Sequence, residues 1–164
     1  MKWKFVTSNY RILYWLTFIC LYSSCNSDDG GGVGGISTGD LILEAITGEW
    51  AATSATFTTV NVNPVRSRDL ITDGGLCDLS ISQNRRFSLV VRNPGVAGPQ
   101  LTTGLFEPNG NFIDVRLDTD PNVLVRWNFT LSGDNLSIDG PLDYDFEDDG
   151  TFEQTSMALQ LIPN

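Results

Sequence analysis

The sequence predicts an all-β domain: an eight-stranded antiparallel up-and-down barrel behind a short N-terminal helix. Three observations carry this. Eight segments from Trp50 to the C-terminus alternate in polarity or are rich in strand-forming residues. Most links between them are short and hold turn residues, as in Pro108-Asn109-Gly110 and Ser132-Gly133-Asp134-Asn135. No helix-length segment separates them, so neighbours should pair antiparallel. Closure into a barrel removes exposed edges at this strand count. A two-sheet β-sandwich is the alternative.

Each element has its own signal. Asp40 to Ile46 reads as a short helix, with acids near its start and Gly48 just past its end. Trp50 to Val60 is rich in Thr and small residues, with Phe57 and Val60 as its other large apolar groups. If Trp50 faces inward, Ala52, Ser54 and Thr56 follow it in a regular strand and leave one wall thinly filled. Either that space is a cavity, or Trp127, Phe129 and Phe87 fill it. Leu76 to Ser82 and Arg86 to Arg92 alternate, the second placing Phe87, Leu89 and Val91 on one face. Gln100 to Phe106 and Asn111 to Asp118 flank the Asn109-Gly110 turn, with Ile113, Val115 and Leu117 on one face of the latter. Val123 to Leu131 alternates from Val123 through Val125, Trp127, Phe129 and Leu131. Leu136 and Ile138 mark the seventh strand. Phe152 to Ile162 turns Met157, Leu159 and Leu161 inward before Pro163.

Upstream of this domain lies a different composition. Met1 to Arg11 holds Lys2, Lys4 and Arg11 without an acid, Ile12 to Tyr22 is apolar, and Ser23-Ser24-Cys25 follows. That order describes an export signal over residues 1–24. The apolar run is too short to cross a ~30 Å hydrocarbon core as a helix. Because a cysteine directly follows the two serines, the segment resembles a bacterial lipoprotein signal, which implies lipid attachment at Cys25. Residues 25–39 hold a glycine-rich tether. Within it, Ser27-Asp28-Asp29 resembles the export tag of Bacteroidota-type surface lipoproteins; a merely polar linker is the other reading. The implied location is the outer membrane, lipid-anchored and facing the cell exterior.

After the signal, seven arginines stand against 20 acids, with no lysine or histidine. A net charge of −13 repels nucleic-acid phosphates and anionic headgroups. Without His or Lys there is no imidazole base, common zinc ligand or amine nucleophile. Cys77, in phase with Leu79 and Ile81, reads as a core residue. Only carboxylate chemistry stays open, so the chain is read as non-enzymatic.

A family resemblance joins these segments over 40–164. Gly48-Glu49-Trp50 after a short helix resembles the Gly-x-Trp opening of lipocalins and of lipocalin-like domains on bacterial surface lipoproteins. Leu79-Ser80-Ile81 with Phe87-Ser88-Leu89 is similar to that family's second hairpin. Trp127 to Leu136 resembles its late strand, turn and strand, and Asp143-Tyr144-Asp145-Phe146 with Asp149-Gly150-Thr151 resembles its acidic last turn. The resemblance implies an eight-stranded barrel, often with an internal apolar site, although a fold does not fix a function.

Candidate sites follow. Asn61 to Gly75 is the longest link inside the domain and carries Arg66 and Arg68 where lipocalin-like barrels have a lid. With Trp127 they are the candidate ligand-binding residues; a solvated loop balancing nearby acids is the competing reading. Asp145, Glu147 and Asp149 are spaced two apart before Gly150, as in calcium loops, but the loop's twelfth position is Ser156 and lacks the bidentate Glu. That favours an acidic hairpin turn and no cofactor. The expected function is binding of a small apolar or amphipathic ligand. The alternative, a glycan-binding or adhesion sandwich, would use Phe106 and Phe112 as an outward aromatic pair.

Overall fold

The structure, a computed structural model, describes residues 38–164. The signal segment, Cys25 and the tether through residue 37 lie outside the described residues. Helix α1 spans Thr38–Ile46, with Asp40 in its first turn, where the helix dipole favours an acid. It therefore starts two residues before the expected boundary at Asp40.

Nine strands follow: β1 Gly48–Thr59, β2 Ser67–Asp69, β3 Leu76–Ile81, β4 Arg86–Arg92, β5 Gln100–Asn109, β6 Phe112–Leu117, β7 Asp120–Ser132, β8 Asn135–Tyr144 and β9 Glu153–Pro163. All pairings are antiparallel, and consecutive strands are neighbours from β3 to β9. β1 pairs with β3 on one side and with β9 on the other, from Trp50↔Pro163 to Thr59↔Thr155, which closes an eight-stranded barrel. The expected barrel is thus the one that forms. The extra strand, β2, comes from the long link and pairs only with Thr56–Thr58 of β1.

Alternation fills the interior. Phe87, Leu89 and Val91 of β4, Ile113 and Val115 of β6, and Met157, Leu159 and Leu161 of β9 are all buried. Each side chain of this size contributes about 1.5–3 kcal/mol when removed from water. Cys77 lies among them as expected of a small core residue; burial, helped by Asp78, pushes its thiol up to about 12.

One register feature corrects the reading of β1. A bulge between Ala52 and Ser54 shifts the strand's phase against β9. Trp50 faces inward below it, but Ala55, Phe57 and Thr59, not Ser54 and Thr56, face inward above it. Phe57 is fully buried and stacks on Tyr144, with centroids 4.2 Å apart and planes 11° apart. The thinly filled wall that suggested a cavity is therefore filled by an aromatic pair.

Trp50 is buried where β1 leaves α1, and its indole N–H donates to the Ile46 carbonyl at 2.9 Å. That carbonyl is one of the helix's last, so the side chain satisfies a group the helix cannot. Helix and indole together close this end of the barrel, where β1 starts and β9 ends. Trp127 is also buried, edge-on to Phe87 at 5.3 Å, and its N–H donates to Pro141 O at 2.9 Å. It passes over Gly140, where an added Cβ would lie 2.3 Å from Trp127 Cδ1. Glycine at 140 is what lets the ring lie there.

Candidate ligand cleft

The end of the barrel away from α1 is not an open mouth. Tyr144 stacks on Phe57 and meets Phe146 edge-on at 5.0 Å, and the Arg66 guanidinium lies 5.2 Å from the Phe146 ring centre. The Tyr144 hydroxyl donates to Asn93, whose amide donates to Asp148. Burial pushes the Tyr144 phenol up. The turn after β8 is thus drawn over the barrel axis.

The sequence-predicted site residues are spent in holding this arrangement. Arg66 pairs with Glu147 and, at 2.7 Å, with Glu153, and Glu153 foremost raises its pKa. Arg68 pairs with Asp73 at 2.8 Å. Trp127 is enclosed in the core. The three do not converge on a shared space. Their link is also no lid: β2 is part of the wall, Leu70 is fully buried, and its N–H donates to Ala55 O at 2.9 Å. The Asp69 carboxylate accepts from Ser54 Oγ at 3.1 Å and from the Ile71 N–H at 3.1 Å. Burial works against its charge, but bonds from Ala55, Ser54, Thr72 and Ile71 outweigh it and hold the carboxyl below its ordinary value.

The acidic turn is similarly committed. Asp145 is buried and accepts the N–H groups of Asp149 at 3.2 Å and Gly150 at 2.8 Å. Asp149 accepts the Thr151 N–H at 2.7 Å, and Glu147 faces Arg66. Asp145, Glu147 and Asp149 point at separate partners. Among the described residues no three His, Cys, Asp or Glu side chains cluster as a metal site would need. The aromatic pair of the glycan reading does not form either. Phe106 is 2 % exposed, and Phe112 lies under Arg126 at 5.3 Å.

A different site emerges from the register of β7 and β8. Their ladder runs from Ser132↔Asn135 only to Asn128↔Asp139. Beyond it, β7 follows β6 and β8 follows β9, and no ladder pair joins them. Pro121 and Pro141 both fall in this unpaired stretch, where the missing N–H of proline is tolerated. At the tip, Leu117 pairs with Asp120 and Val115 with Val125, so the four residues 121–124 bow out opposite Arg116. The far end of β8 instead turns to β5: Gln100 donates to Asp145 O at 3.1 Å and accepts the Asp145 N–H at 3.3 Å.

Between β5, the end of β8 and the splayed β6–β7 hairpin lies a cleft of about 330 Å³. Leu101, Leu117, Leu142 and Phe152 give it apolar walls, and the polar lining is Thr102, Thr103, Thr119 and Asp143. Leu101 and Phe152 are 62 % and 57 % exposed, so apolar surface continues from the cleft onto its rim. Thr103 donates to Asp118 at 2.6 Å, and Arg86 grips both oxygens of that carboxylate. Asp143, Thr102 and Thr119 have no side-chain hydrogen bond or ion pair among the described residues. The cleft can thus accept an apolar body and bond its polar end. None of its residues is among the candidate ligand or metal residues named from the sequence, although Asp143 opens the acidic turn noted there.

No protein-family model matches the chain, and no curated protein matches it. Among solved structures it is similar to the crystal structure of Rv2717c from M. tuberculosis, at 11 % identity and a TM-score of 0.38. That likeness covers 78 % of this chain and 99 % of the other. No described helix is long and apolar enough to cross a membrane.

Proposed function

We propose that this chain is a lipid-anchored surface lipoprotein of the outer membrane, held through Cys25, whose non-enzymatic lipocalin-like barrel binds a small amphipathic ligand in the cleft beside β8. The observation that carries the binding reading is the interrupted β7–β8 ladder, which opens a mostly apolar hollow in the barrel wall. Its volume and its few unpaired polar groups are of the kind small-molecule sites have. The complete lack of histidine and the burial of Cys77 support a non-enzymatic role. The basic, apolar, Ser-Ser-Cys order supports the anchor, and two or more acyl chains would hold it stably.

Calorimetric titration with decanol, a neutral ten-carbon probe, tests the binding. Saturable one-to-one binding that Thr102→Trp removes by filling the cleft is the expected result. Decanol that does not bind, or that binds the variant equally well, contradicts it. Intact-mass analysis of membrane-extracted protein tests the anchor, with cleavage before Cys25 and an acyl adduct expected.

A further inference from the structure

We infer that the cleft selects amphiphiles with a cationic, hydrogen-bond-donating head, such as a primary amine, and discriminates against carboxylates; this rests on the cleft being a ligand site. The walls say only that the body is apolar. The polar lining says more. Asp118, beside the cleft, is held by two guanidinium nitrogens of Arg86 and by the Thr103 hydroxyl. Asp143 lines the cleft and has no ion pair or side-chain hydrogen bond among the described residues. Its charge is therefore the uncompensated one that an occupant meets.

No arginine lines the hollow. Of the arginines around this end of the barrel, Arg86 is taken up by Asp118, and Arg66 and Arg68 by Glu147, Glu153 and Asp73. A carboxylate entering the cleft would find hydroxyls but no cation in the lining, and would face Asp143. An ammonium group has three donors and no acceptor, which suits one carboxylate and the threonine hydroxyls. An anionic amphiphile is thus the class this cleft disfavours. Because Asp143 is on the exposed rim, its effect is moderate. Attraction for one head and repulsion of the other, each worth what an exposed pair is, give a preference of about tenfold.

The test compares decylamine, decanol and decanoate, each below its micelle-forming concentration, by calorimetry on the whole protein. Decylamine should bind about tenfold more tightly than decanoate, with decanol between them. Asp143→Asn should remove most of that preference and leave decanol unchanged. Asp134→Asn, in the β7–β8 turn at the opposite end of the barrel, should keep it, which separates a local effect from the domain's overall negative charge. Salt at 0.5 M should shrink the preference. Decanoate binding as tightly as decylamine, or equal loss in both variants, overturns the inference while decanol binding keeps the cleft. Failure of all three probes overturns both.

Discussion

Replacing Gly140 by alanine should destabilise the barrel, although at an ordinary strand position the same change would help. Gly140 does not occupy the left-handed region, so alanine there meets no backbone penalty. On backbone entropy alone the change would stabilise by about 0.4–1 kcal/mol. The new methyl, however, would stand 2.3 Å from Trp127 Cδ1, 3.0 Å from Cγ and 3.1 Å from Arg126 O. Carbon atoms pack at about 3.5–4.0 Å, so the ring or the strand must give by roughly 1.2 Å or more. Trp127 has Phe87 edge-on to it and its N–H fixed to Pro141 O, so moving the ring sacrifices that bond. Overpacking costs about 1–3 kcal/mol and the lost bond about 1 kcal/mol, which less the backbone gain leaves a net cost of about 1–3.5 kcal/mol. That is a large fraction of a typical domain's stability. Urea unfolding followed by tryptophan fluorescence measures it. In a Trp127→Phe background, where the smaller ring leaves room, the penalty of Gly140→Ala should fall by more than 1 kcal/mol. A neutral or stabilising Gly140→Ala, or strict additivity of the two changes, would refute the packing described for the β7–β8 seam.

Trp50→Ala should cost about 3–5 kcal/mol, because it empties a buried aromatic site and orphans the Ile46 carbonyl. Denaturant titration checks this, and a cost under 1 kcal/mol would contradict the closed end. Stability should also fall with acid. Asp69, Asp114 and Asp118 are held below the ordinary carboxylate range, Asp114 by the Arg126 hydrogen bond first and Asp118 by that of Arg86. A lowered folded pKa gives stability that is present above the unfolded value near ~3.9 and lost as pH drops through the folded value. Melting temperatures should therefore be level above about pH 5 and decline below about pH 4, with a shallower decline in Asp118→Asn. Cys77 should resist alkylation at pH 8 and react at the rate of global unfolding, since its thiol is buried and pushed up to about 12. Fast labelling of the folded protein would show the core to be open there.

Strands were legible wherever side chains declare a face, as in Phe87-Leu89-Val91 or Met157-Leu159-Leu161. The bulge in β1 was hidden because Ala51 to Thr56 carries no large apolar residue to mark the phase. One signal was present: Trp50 and Phe57 lie seven residues apart, so a regular strand cannot bury both. In β5, Leu101 and Leu105 resemble an inward face, whereas Gly104 and Phe106 are the buried residues. There the backbone carbonyl of Arg116 comes close enough that only glycine fits at 104. The cleft depends on where the β7–β8 ladder stops, which is a tertiary matter. Pro121 and Pro141, just outside the segments read as strands but inside β7 and β8, were its trace in the sequence. The partners of Arg66 lie 81 and 87 positions away, so no local pattern could assign them.

A ligand is proposed to bind in the cleft beside β8. A titration of the isotope-labelled protein with decanol, followed by amide chemical shifts, tests it most directly. Saturating shifts should concentrate at Leu101 to Thr103, Leu117 to Thr119, Leu142, Asp143 and Phe152, with those around Trp50 and α1 unmoved. Shifts that centre on Arg66 and Arg68, or that never saturate, would contradict it.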